Sequence, residues 1–408
     1  MTNPSASLLR KNNTRNRILA LIREQGKISK TQLKRKTRYS MATILSTIDE
    51  LLEEELIYYA EKGKVPSGRK PTYISLNAEG GYFIGITFNA TDMSGAILNY
   101  CGERIHYFTE PLNSSNLSVE YVLGCLKANL MKMMEILRGG EDRIIGIGVG
   151  APGYLDEKTG ISIFYPHIPE WRNVNILTFL TPLIKNIPVY IEHNTNGMAL
   201  AYKWLRPDYR GMCYLIISIR TGIRMSCVFN NVLYKGKNYT AGEIGHIKVN
   251  GSRRYCPCGK CGCLESEVSE TAIRERILEG IKANRYSMLW EAAGKKTENI
   301  NIDLFAARVL SEDPECMVLL DELCCFLGES LTQLLNILNP DRIILSTKLN
   351  QIGEPFFDRL WEHIRKDAIF VALENFTLEP TEFGDALAAI GAACIVMDHE
   401  LCYVDAII

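Results

Sequence analysis

The chain has 408 residues, of which 47% are hydrophobic and 23% charged, and this composition is ordinary for a globular protein of about two or three domains. The N-terminus carries no continuous apolar run, and no later stretch reaches the roughly 18 apolar residues that a membrane span requires. We therefore expect a cytoplasmic protein without a membrane segment. Most of its 13 cysteines are then expected to be buried thiols, because disulfides are rare in a reducing compartment.

Charge is divided unevenly along the chain. Residues 1–76 hold 15 Lys and Arg against 7 Asp and Glu, a net charge of +8, whereas the remainder holds 31 against 40, a net charge of −9. A basic segment joined to an acidic body indicates that the segment meets a polyanion such as DNA. A solvated basic face is the alternative, and charge alone does not separate the two.

Three helices and two strands are predicted within residues 1–76. Residues 13–26 carry an apolar helical stripe, and residues 29–37 form a second helix with Ser29 as its N-cap. Two strands, at 56–59 and 72–76, are joined by a loop with four basic residues. The third helix follows the N-cap Ser40, and its inward-facing residues are expected to be Ile44, Leu45, Ile48, Leu51 and Leu52.

This order of elements predicts a winged helix-turn-helix that binds DNA, with a small structural helical domain as the alternative. The start of a recognition helix enters the major groove, where short polar side chains can reach base edges. The predicted DNA contacts are Ser40, Met41, Thr43, Ser46 and Thr47 on the third helix, with Arg69 and Lys70 in the wing.

Residues beyond 81 predict an α/β body. A strand meander, a helix over 117–137 and a buried strand over 143–149 are followed by further helices and strands, and the last helix, 385–397, is expected to pack back on the first part. A weak repeat with an offset of 132 residues, which matches Tyr82 with Tyr214 and Met93 with Met225, suggests two similar lobes.

A glycine-rich stretch over 242–265 predicts a zinc site. His246, Cys256, Cys258 and Cys263 supply the nitrogen and sulfur ligands that zinc binds at tetrahedral corners. Cys261 is a fifth sulfur in the same stretch, which either replaces one of the four or is spare. The alternative is a group of ordinary free or disulfide-bonded cysteines.

The same stretch resembles the ROK family, which holds sugar kinases and sugar-responsive repressors. CPCGKCGCLE fits its CxCGxxGCxE signature, and GEIGH fits a companion motif. The resemblance implies a two-lobed actin-like, ribonuclease H-like, ATPase-type fold with a zinc loop. The expected domains are the winged helix at 1–76, a first lobe at 81–197 with helix 385–397, and a second lobe at 198–384.

The resemblance also implies how a sugar is bound. Glu243, His246 and Glu265 match family residues that reach sugar hydroxyls, although the two glutamates could instead only support the zinc loop. Asn194 stands where the kinases have a catalytic aspartate, so it can hold a hydroxyl but cannot deprotonate it. The two glycine-rich phosphate loops correspond to residues 87–91 and 220–226, which have lost their glycines except Gly222.

These features together predict a sugar-responsive transcriptional regulator, a repressor by resemblance, whose ROK body senses a carbohydrate without catalysis. The expected partners are operator DNA and a free or phosphorylated sugar, and the expected assembly is a homodimer or homotetramer. A ROK sugar kinase with an extra N-terminal domain and a regulator controlled by a protein partner are the two alternatives.

Overall fold

A computed structural model describes residues 4–62, 72–184 and 186–402. The helices in this part are α1 Pro4–Gln25, α2 Lys30–Thr37, α3 Met41–Glu53, α4 Val119–Ile136, α5 Ile176–Leu180, α6 Asn194–Leu205, α7 Glu265–Val268, α8 Glu270–Lys282, α9 Ser287–Ala292, α10 Ile302–Leu310, α11 Pro314–Leu338, α12 Glu354–Asp367 and α13 Leu387–Glu400. Among the residues described, no helix is long and apolar enough to cross a membrane.

The strands of the described residues form four sheets, two of three strands and two of five. They are β1 Ile28–Ser29, β2 Ile57–Lys62, β3 Thr72–Leu76, β4 Tyr82–Phe88, β5 Asp92–Asn99, β6 Arg104–Pro111, β7 Ile144–Ala151, β8 Tyr154–Asp156, β9 Ile161–Phe164, β10 Arg172–Asn175, β11 Val189–His193, β12 Cys213–Ile219, β13 Ile223–Phe229, β14 Val232–Tyr234, β15 Arg342–Thr347 and β16 Thr377–Pro380.

The N-terminal segment contains the three helices and two strands expected from the sequence, and a short β1 completes a sheet of order β1-β3-β2. Ser29 begins α2 with a reciprocal capping box, in which its hydroxyl accepts the Gln32 N–H and Gln32 Oε1 accepts the Ser29 N–H. Ser40 caps α3 by accepting the Thr43 N–H at 3.1 Å. Arg69 and Lys70 lie outside the described residues.

Two side chains of α3 differ from expectation. Leu45 was predicted to face inward, but its side chain is 37% exposed, because the buried stripe of α3 runs through Ile44, Ile48 and Leu51. Thr47 was predicted to face outward, but it is buried, and its hydroxyl donates to the Thr43 carbonyl at 3.0 Å. Its position beside Ile48 places it at the edge of the buried stripe, and its hydroxyl is satisfied within the helix.

The chain divides into two compact units. The first comprises residues 1–208 together with 385–408, and the second comprises residues 209–384. The boundary expected between residues 197 and 198 falls inside α6, which continues as one helix to Leu205. The N-terminal segment contacts the first unit's body directly, since Arg23 donates to the Tyr100 carbonyl at 2.6 Å and Arg143 pairs with Glu55 at 3.1 Å.

The main sheet of the first unit has the order β11-β7-β4-β5-β6, with β4, β7 and β11 parallel. Successive residues of β4 face opposite sides, so Ile84 packs in the core that α4 completes. The other side is covered by α13, which crosses α6 closely: a Cβ on Gly391 would lie 2.4 Å from the Gly197 carbonyl carbon. Glycine at this crossing lets the two helix backbones touch.

The main sheet of the second unit has the order β14-β13-β12-β15-β16, with β12, β15 and β16 parallel. If the five strands of each sheet are numbered in chain order, both sheets have the strand order 3-2-1-4-5. Helices α8, α10, α11 and α12 bury apolar residues with this sheet, among them Leu215, Ile343 and Leu331. The connection from β14 to α7 contains the predicted zinc loop.

Candidate metal centre

Four predicted ligands meet in the second unit. The ligand atoms of His246, Cys256, Cys258 and Cys263 all lie within 4.8 Å of one another. The sulfurs of Cys258 and Cys263 are 3.8 Å apart, and Nδ1 of His246 is 3.9 Å from the sulfur of Cys256. Ligands about 2.3 Å from one zinc ion lie about 3.8 Å apart in a tetrahedron, so this set fits one tetrahedral ion.

The loop that carries the cysteines is folded by its own backbone. The Cys256 N–H donates to the Lys260 carbonyl at 2.7 Å, and Gly259, at φ 86°, occupies the left-handed region in the turn between them. Cys261 pairs with Tyr255 across this turn, and its exposed side chain is not among the grouped ligand atoms. The fifth cysteine is therefore spare in this geometry.

Protonation of the cluster thiols is linked to metal binding. Burial is the largest cause that raises the pKa of the Cys256 thiol, to about 12, when no metal is bound. A divalent ion would reverse this effect, because metal ligation requires the thiolate. Lys248 also approaches the cluster, with Nζ 3.4 Å from the Cys263 sulfur and a hydrogen bond to the Cys261 carbonyl.

His246 connects the sulfur cluster to a carboxylate. Its Nδ1 faces Cys256, and its Nε2 lies 3.9 Å from Oε2 of Glu243. The other Glu243 oxygen, Oε1, accepts a hydrogen bond from Arg224, whose side chain is only 11% exposed. Arg224 also donates to the carbonyls of Tyr239 and Ala241 at 3.3 Å each. The histidine is thus oriented for a metal on one side and for Glu243 on the other.

Glu265 holds the turn between β12 and β13. Its Oε2 accepts the Ile223 N–H at 2.9 Å, while Oε1 lies 3.9 Å from the Cys256 sulfur. Gly245 permits this approach, because a Cβ there would lie 2.5 Å from the Ile223 carbonyl oxygen and 3.2 Å from Oε2 of Glu265. Glu243 and Glu265 therefore both contact the β12–β13 hairpin.

The turn between β4 and β5 is held by hydrogen bonds among its own residues. Asn89 Oδ1 accepts the N–H groups of Thr91, at 2.6 Å, and Asp92, at 2.9 Å. Its amide nitrogen donates to the Asp92 carboxylate at 3.0 Å. Two backbone amides that could face a phosphate are thereby occupied within the turn.

Asn194 begins α6 in the first unit. Its Oδ1 accepts the Thr195 N–H at 2.7 Å, and Nδ1 of the neighbouring His193 accepts the same N–H at 3.1 Å. Glu192 is buried and accepts from the His193 N–H and the Asn196 amide at 2.8 Å each. The β11–α6 junction is thus closed by hydrogen bonds among its own residues.

The sequence predicted the four side chains that the structure groups together, but it did not predict the partners of Arg220 and Arg224. The sequence alone predicts that Arg220 and Arg224 meet solvent or an anionic group. Instead, Arg224 pairs with Glu243, and Arg220 lies 3.6 Å from Glu270. Arg224 is itself an unusual residue in a loop where small residues are expected, and this could have drawn attention to it. Its partner lies 19 positions away, however, and a pairing at that separation cannot be predicted from sequence spacing.

Proteins similar to this chain include repressors and glucokinases. A xylose repressor of Caldicellulosiruptor bescii is 26% identical over 400 residues, covering 95% of this chain and 96% of the repressor. A glucokinase of Thermotoga maritima is 28% identical over 318 residues, covering 78% of this chain and 97% of the kinase. A solved ROK family transcriptional regulator, a homolog of the E. coli MLC protein, has a TM-score of 0.81 at 24% identity and covers 96% of both chains.

The ROK family pattern matches residues 84–399. This span includes the five-stranded sheet of the second unit, that of the first unit from Ile84 onward, the predicted metal ligands and helix α13 up to His399. This chain belongs to the ROK family.

Proposed function

We propose that this protein is a sugar-responsive, DNA-binding transcriptional regulator that acts as a repressor in the cytoplasm. The observation that carries the proposal is its similarity to a xylose repressor over 95% of the chain, because that length takes in both the basic N-terminal segment and the ROK body. The glucokinase similarity covers a shorter share of the chain, 78%. A regulator therefore accounts for more of the sequence than a kinase does.

The N-terminal segment is, in this proposal, a winged helix-turn-helix that binds operator DNA. Ser40, Thr43 and Ser46 are exposed and Met41 is half-buried at the start of α3, where side chains can reach base edges in a major groove. Thr47 is buried and is removed from this set. Arg69 and Lys70 stay predicted phosphate or minor-groove contacts. A homodimer or homotetramer would present paired heads to a palindromic site.

Zinc is the cofactor we assign to the His246, Cys256, Cys258 and Cys263 cluster. Three sulfurs and one imidazole nitrogen are a common structural zinc set, and the separations given above suit one tetrahedral ion. Bound there, zinc would stabilise the loop between β14 and α7, because structural zinc contributes folding free energy directly. Glu243 and Glu265 flank this loop, so their positions depend on it.

A carbohydrate is the proposed effector, contacted by Glu243, His246 and Glu265. Carboxylates and imidazole suit polyols, since each group can bond adjacent hydroxyls. Glu243 is 27% exposed and Oε2 is not engaged by Arg224, so this oxygen is available to a hydroxyl. Asn194 stays a predicted further contact, offering an amide that can bond a hydroxyl without removing its proton.

We infer that the body does not phosphorylate the sugar. Phosphoryl transfer needs backbone amides near the nucleotide phosphates and a carboxylate base. The Thr91 and Asp92 amides are bonded to Asn89, and the Ile223 amide is bonded to Glu265. The kinase alternative has its support in the glucokinase relatives, and these occupied amides are the specific observation against it.

Selection of operators from random DNA tests the regulator. Full-length, metal-loaded protein is expected to enrich a palindromic motif, and one carbohydrate of a monosaccharide panel is expected to change its affinity for that motif. Failure to enrich any motif, with or without sugar, would contradict DNA binding. A motif whose affinity no sugar changes would favour control by a protein partner. Hexose phosphorylation in a coupled ATP assay, abolished by Asn194→Ala, would favour the kinase.

A further inference from the structure

The basic side chains around the proposed carbohydrate contacts already have partners. Arg224 donates to Glu243 and to two backbone carbonyls. Arg220, on the same hairpin, pairs with Glu270, and Lys248 bonds the Cys261 carbonyl and approaches the Cys263 sulfur. These three cations, two on the β12–β13 hairpin and one in the stretch 242–265, are thus directed to groups of the protein.

A phosphorylated sugar needs the opposite arrangement. Phosphate is bound by cationic side chains or by unpaired backbone amides, whose charge is not offset by neighbouring acids. Here Glu243 offsets Arg224, and Glu265 takes the Ile223 amide. Charges of the same sign that come into contact at a protein surface repel each other. The Arg224–Glu243 pair therefore offers a phosphate dianion no net positive charge, and the Glu265 carboxylate repels it.

Uncharged hydroxyls fit the same groups well. Arg224 fixes Oε1 of Glu243, so the carboxylate presents Oε2 in one orientation, next to Nε2 of His246. A carboxylate held in place loses less conformational freedom when it accepts a hydroxyl. The Arg224 side chain thereby acts on the ligand through Glu243.

We propose that the effector is an unphosphorylated carbohydrate and that Arg224 is the positioning residue that sets this preference, by neutralising and orienting Glu243. The inference rests on the proposed function, because it concerns the ligand of the same site. It assigns a role to a residue that replaces the small side chain of a phosphate loop. In place of a loop that binds a phosphate, the hairpin carries an internal ion pair.

Two ion pairs on one hairpin provide a matched test. Glu243→Gln keeps the shape of the side chain and leaves the Arg224 charge uncompensated, which should attract a phosphate. Glu270→Gln makes the same change beside Arg220 and serves as the control. Calorimetric titration of the full-length, metal-loaded protein uses glucose, N-acetylglucosamine and xylose, with glucose 6-phosphate and N-acetylglucosamine 6-phosphate as the paired esters.

In the natural protein, the parent sugar is expected to bind at least about tenfold more tightly than its phosphate ester, since like charges in contact cost several kcal/mol. In Glu243→Gln, this preference is expected to shrink by about tenfold or more, whereas in Glu270→Gln it should not change. If the Arg224–Glu243 pair had a merely structural role, the ratio of the two affinities would not change in Glu243→Gln.

Three outcomes overturn the inference. An ester that binds the natural protein more tightly than its parent sugar refutes it alone and leaves the regulator in place. An unchanged affinity ratio in Glu243→Gln, or an equal shift in Glu270→Gln, refutes the role of Arg224. If no sugar and no ester binds the metal-loaded protein, the sugar-responsive function itself fails, and this inference fails with it.

Discussion

The turns β4–β5 and β12–β13 occupy corresponding places in two sheets of the same strand order, yet different interactions hold them. Asn89 holds the first turn through amides two and three positions away. The second turn depends on Glu243 and Glu265, which lie 19 and 42 positions from their partners Arg224 and Ile223. A locally satisfied turn is independent of its surroundings, whereas a turn held by distant side chains responds to whatever moves them.

Because of this difference, loss of the predicted metal should disturb the second turn and leave the first unchanged. Cys258→Ser is expected to remove the bound metal and to disorder the loop beside Glu265, with hydrogen exchange at the Ile223 amide accelerated and exchange at Thr91 unchanged. The effect should be the largest of those predicted, on the order of several kcal/mol, because structural zinc contributes folding free energy directly.

Cys261→Ser is the matched control for this change. Both cysteines are exposed in the same loop, but the Cys261 sulfur lies outside the ligand group. Metal analysis should find the control fully loaded. A Cys258→Ser protein that retains all its metal, or a Cys261→Ser protein that loses it, would contradict the ligand set.

Gly245→Ala should disturb the second turn without touching a metal ligand. The new Cβ would lie 2.5 Å from the Ile223 carbonyl oxygen, so the backbone must move, at a cost of about 1–3 kcal/mol. Chemical denaturation measures the loss. Gly124→Ala in α4 is the control, because no atom lies within 4 Å of its Cβ position and alanine favours a helix. Equal stability of the two variants would argue against close packing at Gly245.

Asn89→Ala should weaken only the first turn. Removing its side chain leaves two amides to solvent, and we expect a loss of about 0.5–1.5 kcal/mol in the free energy of unfolding. The metal content and the exchange rate of the Ile223 amide should stay at their original values. A change in either would show that the turns are coupled, contrary to the comparison.

The smallest expected effect concerns the attachment of the zinc loop to α8. Hydrogen bonds from Arg254 are the largest cause that lowers the pKa of Glu279 from its ordinary 4.5. A lowered pKa in the folded state means that the pair stabilises the protein above about pH 4.5, and that this contribution is lost as the pH falls further. Glu279 is 59% exposed, so the contribution should be below about 1 kcal/mol.

Denaturation of Glu279→Gln alongside the natural protein at pH 7 and below pH 4 measures this contribution. The stability difference should be present at pH 7 and should diminish in acid. Glu298→Gln, an exposed change elsewhere in the second unit, is the control for a surface substitution of the same kind. A Glu279→Gln difference that grows in acid would reverse the sign and exclude the ion pair as its cause.

The internal repeat in the sequence predicts the strand order of the two sheets but not their full pairing. An offset of 132 residues relates β4 to β12 correctly, and both strands lie at the centre of their sheets. The offset does not preserve the pairing register of the second strands. Met93 pairs with Phe88, whereas its counterpart Met225 pairs with Ile217. The offset matches Ile217 with Gly85, not with Phe88. The repeated apolar runs indicate the shared strand order. The register of a hairpin depends on the length of its turn, which differs between these two hairpins.

The sequence by itself determined the features that depend on near neighbours. Helix caps at Ser29 and Ser40, the strands of both meanders and the grouping of His246 with three cysteines follow from spacing, because each involves residues within about one turn or one short loop. Only the tertiary structure decided that Thr47 is buried, that α6 continues past residue 197 and that Arg224 binds Glu243. Such features depend on which surfaces meet after folding, and a single sequence records no distance between residues that are far apart in the chain.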